Sequence, residues 1–187
     1  MKEQENYRES FDFNIALIGF MGVGKSTVAA SLSRMFGMKA VEMDQVIAER
    51  ERMSIPEIFE TYGEEYFRER ETELLMELEC KKSTVISCGG GVPLRECNVD
   101  RMKKNGYVVL LTASPEVILS RVSLGNDRPV LKGRKNAGAI AQLMEERRER
   151  YEKAADIVID TDGKDVLQIC AELAQKLKSI KRVKNNV

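Results

Sequence analysis

Apolar and polar positions alternate along this chain in blocks that predict strands and helices in succession. Asn14-Ile15-Ala16-Leu17-Ile18 is short, apolar and partly β-branched, as a buried parallel strand requires, and Val28, Leu32, Met35 and Phe36 recur at helical spacing from Ser26 to Phe36. Gly37 has the place of a helix-ending residue, and Lys39-Ala40-Val41-Glu42 reads as a second strand. Asp44 opens another helix. Ser54-Ile55-Pro56-Glu57 is a capping box that starts a helix running to Tyr62 and stopping at Gly63, after which Glu64 to Cys80 forms a long charged helix. Ser83 to Ser87 is a third strand, ended by Gly89-Gly90-Gly91. Arg95 to Asn105 is a helix closed by Gly106, and Tyr107 to Leu111 is a fourth strand. Ser114-Pro115-Glu116 caps a helix reaching about Val122. Ala139 to Ala155 is again helical, Asp156 to Asp160 is a fifth strand, and Lys164 to Ile180 is a final amphipathic helix.

Two segments break the pattern. Met1 to Phe13 is charged and weakly periodic, and residues 1–12 are expected to be a disordered extension without chemistry. Residues 123–138 are polar, carry Gly125, Pro129, Gly133 and Gly138, and are rich in cations (Arg128, Lys132, Arg134, Lys135), the character of a mobile lid. Neither repeats nor a linker divide the chain, so one domain over 1–187 is expected. Strands separated by helices predict an α/β fold: a five-stranded parallel sheet, doubly wound, flanked by helices and joined by right-handed crossovers. Ligands of such sheets bind beyond the carboxyl ends of the strands. Three unusual features fall there: a glycine-rich loop after the first strand, Glu42 and Asp44 after the second, and the triple glycine after the third.

Composition narrows the chemistry. The 187 residues carry 30 Lys+Arg against 30 Asp+Glu, so no global field recruits nucleic acid or an anionic membrane. No apolar run approaches a membrane span, and the first ten residues are too polar for a signal peptide, so a cytoplasmic protein is expected. Cys80, Cys88, Cys97 and Cys170 lack C-x-x-C spacing and are read as reduced and mostly buried. The absence of histidine removes Ser-His-Asp and Cys-His nucleophiles and H-E-x-x-H zinc sites, leaving proton transfer to a carboxylate, a lysine or water.

The glycine-rich loop is Gly19-Phe20-Met21-Gly22-Val23-Gly24-Lys25-Ser26, a full G-x-x-x-x-G-K-S phosphate-binding loop between strand and helix. Its backbone N–H groups and the helix N-terminus cradle phosphate, Lys25 reaches the β- and γ-phosphates, and Ser26 offers a hydroxyl to Mg²⁺. Asp44 is placed to accept the proton of an attacking hydroxyl, or to serve as a helix N-cap, or both. Glu42 either holds Mg²⁺, directly or through water, or is a strand-end surface glutamate. Three consecutive glycines suit a close approach to the main chain. Arg68 and Arg70, set among glutamates, read first as surface ion pairs, and Arg128, beside Pro129, is the lid cation best suited to the γ-phosphoryl.

Taken together, these residues resemble the shikimate kinase family, small P-loop kinases with the nucleoside-monophosphate-kinase type of fold. The resemblance runs from Ile15 to about Thr161. It rests on G-F-M-G-V-G-K-S-T at Gly19 to Thr27, the carboxylate-x-Asp of Glu42 to Asp44, and G-E-x-x-F-R-x-x-E at Gly63 to Glu71. Further on come S-x-G-G-G at Ser87 to Gly91, R-P-x-L at Arg128 to Leu131, and R-x-x-x-Y at Arg147 to Tyr151. It implies phosphorylation of the 3-hydroxyl of shikimate by MgATP. By matching position, Asp44, Arg68, Gly89, Gly90, Gly91 and Arg147 would bind shikimate, with Glu71 holding Arg68. Gly22, Val23, Gly24, Lys25, Ser26, Thr27, Arg121, Arg128 and Thr161 would bind ATP. Asp44, Lys25 and Arg128 would be catalytic, and Ser26 and Glu42 would serve Mg²⁺ in a monomer. Where this chain has Glu42 the family usually has aspartate, which shifts the carboxylate by one methylene. Another small-metabolite or nucleotide kinase, such as one acting on gluconate or a nucleoside monophosphate, is disfavoured by the arginine pair and triple glycine. A nucleotide-binding regulator without catalysis is favoured only by Glu42.

Overall fold

The computed structural model describes residues 11–123 and 137–184. Five strands form one sheet in the order β2-β3-β1-β4-β5, every pairing parallel. They are β1 (Asn14–Ile18), β2 (Lys39–Glu42), β3 (Thr84–Ser87), β4 (Gly106–Thr112) and β5 (Ile157–Asp160). Seven helices connect and flank them: α1 (Lys25–Phe36), α2 (Met43–Glu51), α3 (Ile55–Leu78), α4 (Glu96–Lys104), α5 (Pro115–Ser123), α6 (Ala137–Ala154) and α7 (Val166–Lys184).

The central strand is buried along its whole length, its apolar run Ile15 to Ile18 preceded by Asn14, whose buried side chain is satisfied by hydrogen bonds to Leu78, Lys81 and Thr84. Its side chains alternate between two cores. Ile15 and Leu17 join Val109, Leu111, Leu32, Leu173 and Leu177 on one face, while Ala16 and Ile18 join Val108, Leu110, Ile58, Leu74 and Leu75 on the other. The edge strand β5 keeps the period-two pattern, Ile157 and Ile159 in and Val158 out. Among the described residues no helix is long and apolar enough to cross a membrane.

Local signals explain the element limits. Gly37, at φ 64°, ends α1, and the Ser54–Glu57 capping box opens α3 with both reciprocal bonds formed. The break expected at Gly63 is a kink inside α3, with that residue at φ 83° and ψ 172°. Four expectations need correction. Gly106 does not close α4; it begins β4, paired with Asn14 so closely that a Cβ would collide with the Asn14 carbonyl. Asp44 is not the N-cap of α2, because Glu42 takes that place and Asp44 sits in the first turn. The extension does not run through Phe13: Phe11 is 1% exposed and packs its ring on Phe13 and Phe36, anchoring the start of the sheet. Finally, only two of the four thiols are buried, Cys88 and Cys170; Cys80 and Cys97 are exposed. The lid expected over residues 123–138 lies almost wholly outside the described residues.

Candidate active site

Between β1 and α1 the chain makes the tight loop that the glycines predicted. Gly24 is the N-cap of α1 at φ 103°, a left-handed conformation that L side chains rarely adopt, and it brings no capping side chain of its own. The first intrahelical bond runs from the Val28 N–H to the Gly24 carbonyl at 3.0 Å, so the amides of Lys25, Ser26 and Thr27 precede it. A helix start of this kind, with its partial positive charge, is an anion site. Lys25 lies back over the loop, its Nζ 2.9 Å from the Gly19 carbonyl and 3.1 Å from that of Phe20. The loop opens into a cleft of about 460 Å³ whose lining includes Ser26, Thr27, Glu42, Asp44, Gly89 and Arg121.

Because β2, β3 and β1 are neighbours, their carboxyl ends bring the acidic pair and the triple glycine against the loop. Glu42 accepts a hydrogen bond of 2.9 Å from the wholly buried Ser87 hydroxyl at the end of β3. Asp44 keeps a buried Oδ1 that has no partner among the described residues. Its position in the first turn of α2, rather than at the cap, leaves that oxygen available for a ligand. With Ser26 and Glu42 in the same cleft, these donors fit a hard divalent cation held by few protein groups and by phosphate oxygens. Among the described residues no cluster of three or more potential metal-binding side chains forms a protein-only cage.

Two of the three glycines, Gly89 and Gly91, make room for the side chains above them. A Cβ on Gly89 would lie 2.8 Å from Asp44 Oδ1 and closer still to Glu71 Oε1; one on Gly91 would collide with the Arg68 guanidinium. Over Gly90 stand the Tyr151 hydroxyl and Arg147 Nη1, at 3.6 and 3.7 Å from the same hypothetical atom. Arg68, expected first as a surface pair and then as a ligand held by Glu71, has a side chain only 14% exposed and bonds Glu71 and Glu64 at 2.7 Å each. Arg70 is the surface pair expected, with Glu73 at 2.7 Å, and its guanidinium also lies over the Tyr66 ring. Glu71 is wholly buried, and burial pushes its carboxyl up to about 7 against the opposing pull of Arg68.

On the opposite side of the loop, Arg121 Nη1 donates to the Val23 carbonyl and to Thr161 Oγ1, both at 3.2 Å. Thr161 is wholly buried and donates to the Thr112 carbonyl at 2.9 Å, so its side chain holds Arg121 in place instead of lining the cleft. Lining from that side comes from Lys164, Val166 and Ile169, which sequence reasoning missed; their only signal was their place at the start of the last helix. Also missed were the Ser87–Glu42 bond and any role for Tyr151, although the latter stands one helical turn beyond Arg147 on the same face. Arg128 lies outside the described residues.

Comparison with known proteins agrees with this geometry. The family model described as shikimate kinase matches residues 21–178. A shikimate kinase of Geobacter sulfurreducens is 45% identical over 161 residues, covering 86% of this chain and 88% of its own, and one of Moorella thermoacetica is 41% identical over 166 residues, covering 89% and 95%. The solved structure of a shikimate kinase from Acinetobacter baumannii in complex with shikimate superposes with a TM-score of 0.86 at 31% identity, over 95% of this chain and 98% of that one. A phosphate loop, an aspartate and a glycine floor set under paired arginines thus come with sequence likeness along almost the whole chain, and the protein belongs to the shikimate kinase family.

Proposed function

We infer that the protein transfers the terminal phosphoryl group of ATP to the 3-hydroxyl of shikimate, giving shikimate 3-phosphate and ADP, a step of chorismate and aromatic amino-acid biosynthesis. The observation that carries this reading is the convergence of Asp44, Arg68 and Arg147 on the three glycines beside the phosphate loop. Shikimate is a hydroxylated ring carboxylate, and guanidinium groups grip carboxylates through paired hydrogen bonds. Arg68 and Arg147 take the carboxylate, the ring lies on Gly89 to Gly91, and Asp44 meets the hydroxyl.

In this reading Asp44 orients the 3-hydroxyl and accepts its proton as the oxygen attacks the γ-phosphorus, and ADP leaves with the electrons of the broken P–O bond. Lys25 and the amides from Gly22 to Thr27 bind the phosphates, and Arg128 adds positive charge to the transferring group. Arg121, braced by Thr161, flanks the nucleotide. Ser26 and, directly or through water, Glu42 would hold Mg²⁺, which would supply charge neutralisation to the phosphates. Ser87, bonded to one Glu42 oxygen, supports the longer side chain in that role. We further propose that the enzyme is a cytoplasmic monomer that binds neither nucleic acid nor membrane, a reading supported by its balanced charge.

Replacing Asp44 with alanine tests the assignment. Shikimate-dependent turnover is expected to fall by about 10²–10⁴-fold with the far-ultraviolet circular dichroism unchanged. Full turnover in a folded Asp44→Ala variant would remove the base from the mechanism.

A further inference from the structure

We propose that Tyr151 is a positioning residue for the acid-binding half of the site: its hydroxyl anchors the peptide of Gly90 directly beside the Arg147 guanidinium and so fixes the glycine floor under the acid-binding arginine. The inference rests on the shikimate reading above and adds to it a residue that touches neither the reacting atoms nor the nucleotide.

The carbonyls of the three glycines are held differently. Those of Gly89 and Gly91 accept from the N–H groups of Val92 and Leu94, at 3.1 and 3.0 Å, within the short 3-10 turn Val92–Leu94 that follows. The carbonyl of Gly90 instead accepts from the Tyr151 hydroxyl, at 2.5 Å, from a helix 61 residues further along the chain. This middle glycine is therefore anchored from outside its own turn. Arg147 and Tyr151 are four residues apart on α6 and share one face. Arg147 Nη1 and the Tyr151 hydroxyl stand together over Gly90, 3.7 and 3.6 Å from where a Cβ on it would lie, so the residue that anchors the Gly90 peptide is also neighbour to the guanidinium. Tyr151 is 5% exposed, and burial raises its pKa, which keeps the phenol protonated and able to donate.

The ring of Tyr151 belongs to the core on this face of the sheet, so a bland packing role would be met by any ring of the same shape. Phenylalanine keeps that ring and removes only the oxygen. The experiment compares wild type with Tyr151→Phe for the KM of shikimate, the KM of ATP and the thermal unfolding midpoint. Losing the buried hydrogen bond that fixes the glycine floor is expected to raise the shikimate KM about ten-fold, with the ATP KM essentially unmoved and the midpoint lower by only a few degrees. A shikimate KM within about two-fold of wild type, or both KM values rising together as the midpoint falls, overturns the proposal. Wild-type protein that turns over no shikimate overturns the substrate reading, and this inference with it, in the control arm alone.

Discussion

In the proposed mechanism Lys25, Asp44 and Arg68 divide the chemistry among phosphate, hydroxyl and carboxylate, and each could be named from its motif. What the motifs could not convey is burial. Glu71 stands in the string G-E-x-x-F-R-x-x-E as one more glutamate on a charged helix, yet it is the one carboxylate there with no exposure, facing Arg68 on one side and the Asp44 oxygen across Gly89 on the other. Arg68→Ala is expected to raise the KM for the acid by about 10–100-fold while leaving ATP affinity little changed, measured by steady-state kinetics and nucleotide titration. The reverse pattern would move Arg68 to the nucleotide side. Glu71 also makes a prediction in pH. The fold lifts its pKa from 4.5 to about 7, so the folded state favours the protonated acid. That contribution is complete below the unfolded value of 4.5 and is lost as pH rises through about 7, an effect of at most about 3 kcal/mol. Thermal unfolding of wild type and Glu71→Gln across this range should show wild type losing stability relative to the variant as pH rises. A pH-independent difference between the two would contradict it.

At the scale of elements, periodicity found every strand and the limits of β1 and β2: β1 is a buried, largely apolar run, and β2, mostly exposed, is bounded by the Gly37 helix stop and the start of α2. Where it failed, a contact distant in sequence had decided the outcome. Gly106 looks like a helix stop but is drawn into β4 by pairing with Asn14, and Phe11 looks like part of a loose extension but finds an aromatic cluster with Phe13, Phe36 and Tyr107. Similarly, the resemblance points to Thr161, but only the packed structure separates this buried brace from the lining residues Lys164, Val166 and Ile169. The loop after β3 offers an element-level test. A methyl group on Gly91 would meet first the far end of the Arg68 side chain, whose displacement also strains its pair with the buried Glu71. Gly91→Ala is expected to lower the unfolding midpoint and to bind shikimate at least about ten-fold more weakly, since a displaced Arg68 loses its paired bonds. Tight binding by this variant, followed by calorimetric titration, would show that Arg68 need not stand where it does.

At the scale of the molecule, the order β2-β3-β1-β4-β5 is what turns separate motifs into a site. Parallel strands put the phosphate loop, the Glu42–Asp44 pair and the glycine floor on one edge, an outcome legible in the sequence from the alternation of strand and helix. That β3 lies between β1 and β2, making those three strand ends adjacent, was not legible, because strand order depends on which faces pack together. The same arrangement brings Arg121 and the start of α7 to the cleft beside the loop, while Arg68 of α3 and Arg147 of α6 stand over the glycine floor. Binding of MgATP to the folded protein alone should stabilise it by about 2.7 kcal/mol at a hundred times Kd and raise its unfolding midpoint with ligand concentration. Lys25→Ala should lose most of that rise, and an undiminished rise would place the phosphates elsewhere.

The most direct test is ADP release from MgATP by the purified protein with shikimate, gluconate or a nucleoside monophosphate as acceptor. Gluconate also carries a carboxylate and hydroxyls but on an open chain, so it asks whether the paired arginines alone suffice. ADP release that depends on shikimate, with the other two near the rate without acceptor, is the expected result. Equal or faster release with gluconate or the monophosphate, or ATP binding without transfer to any acceptor, would contradict the assignment of Asp44, Arg68 and Arg147 to a shikimate site.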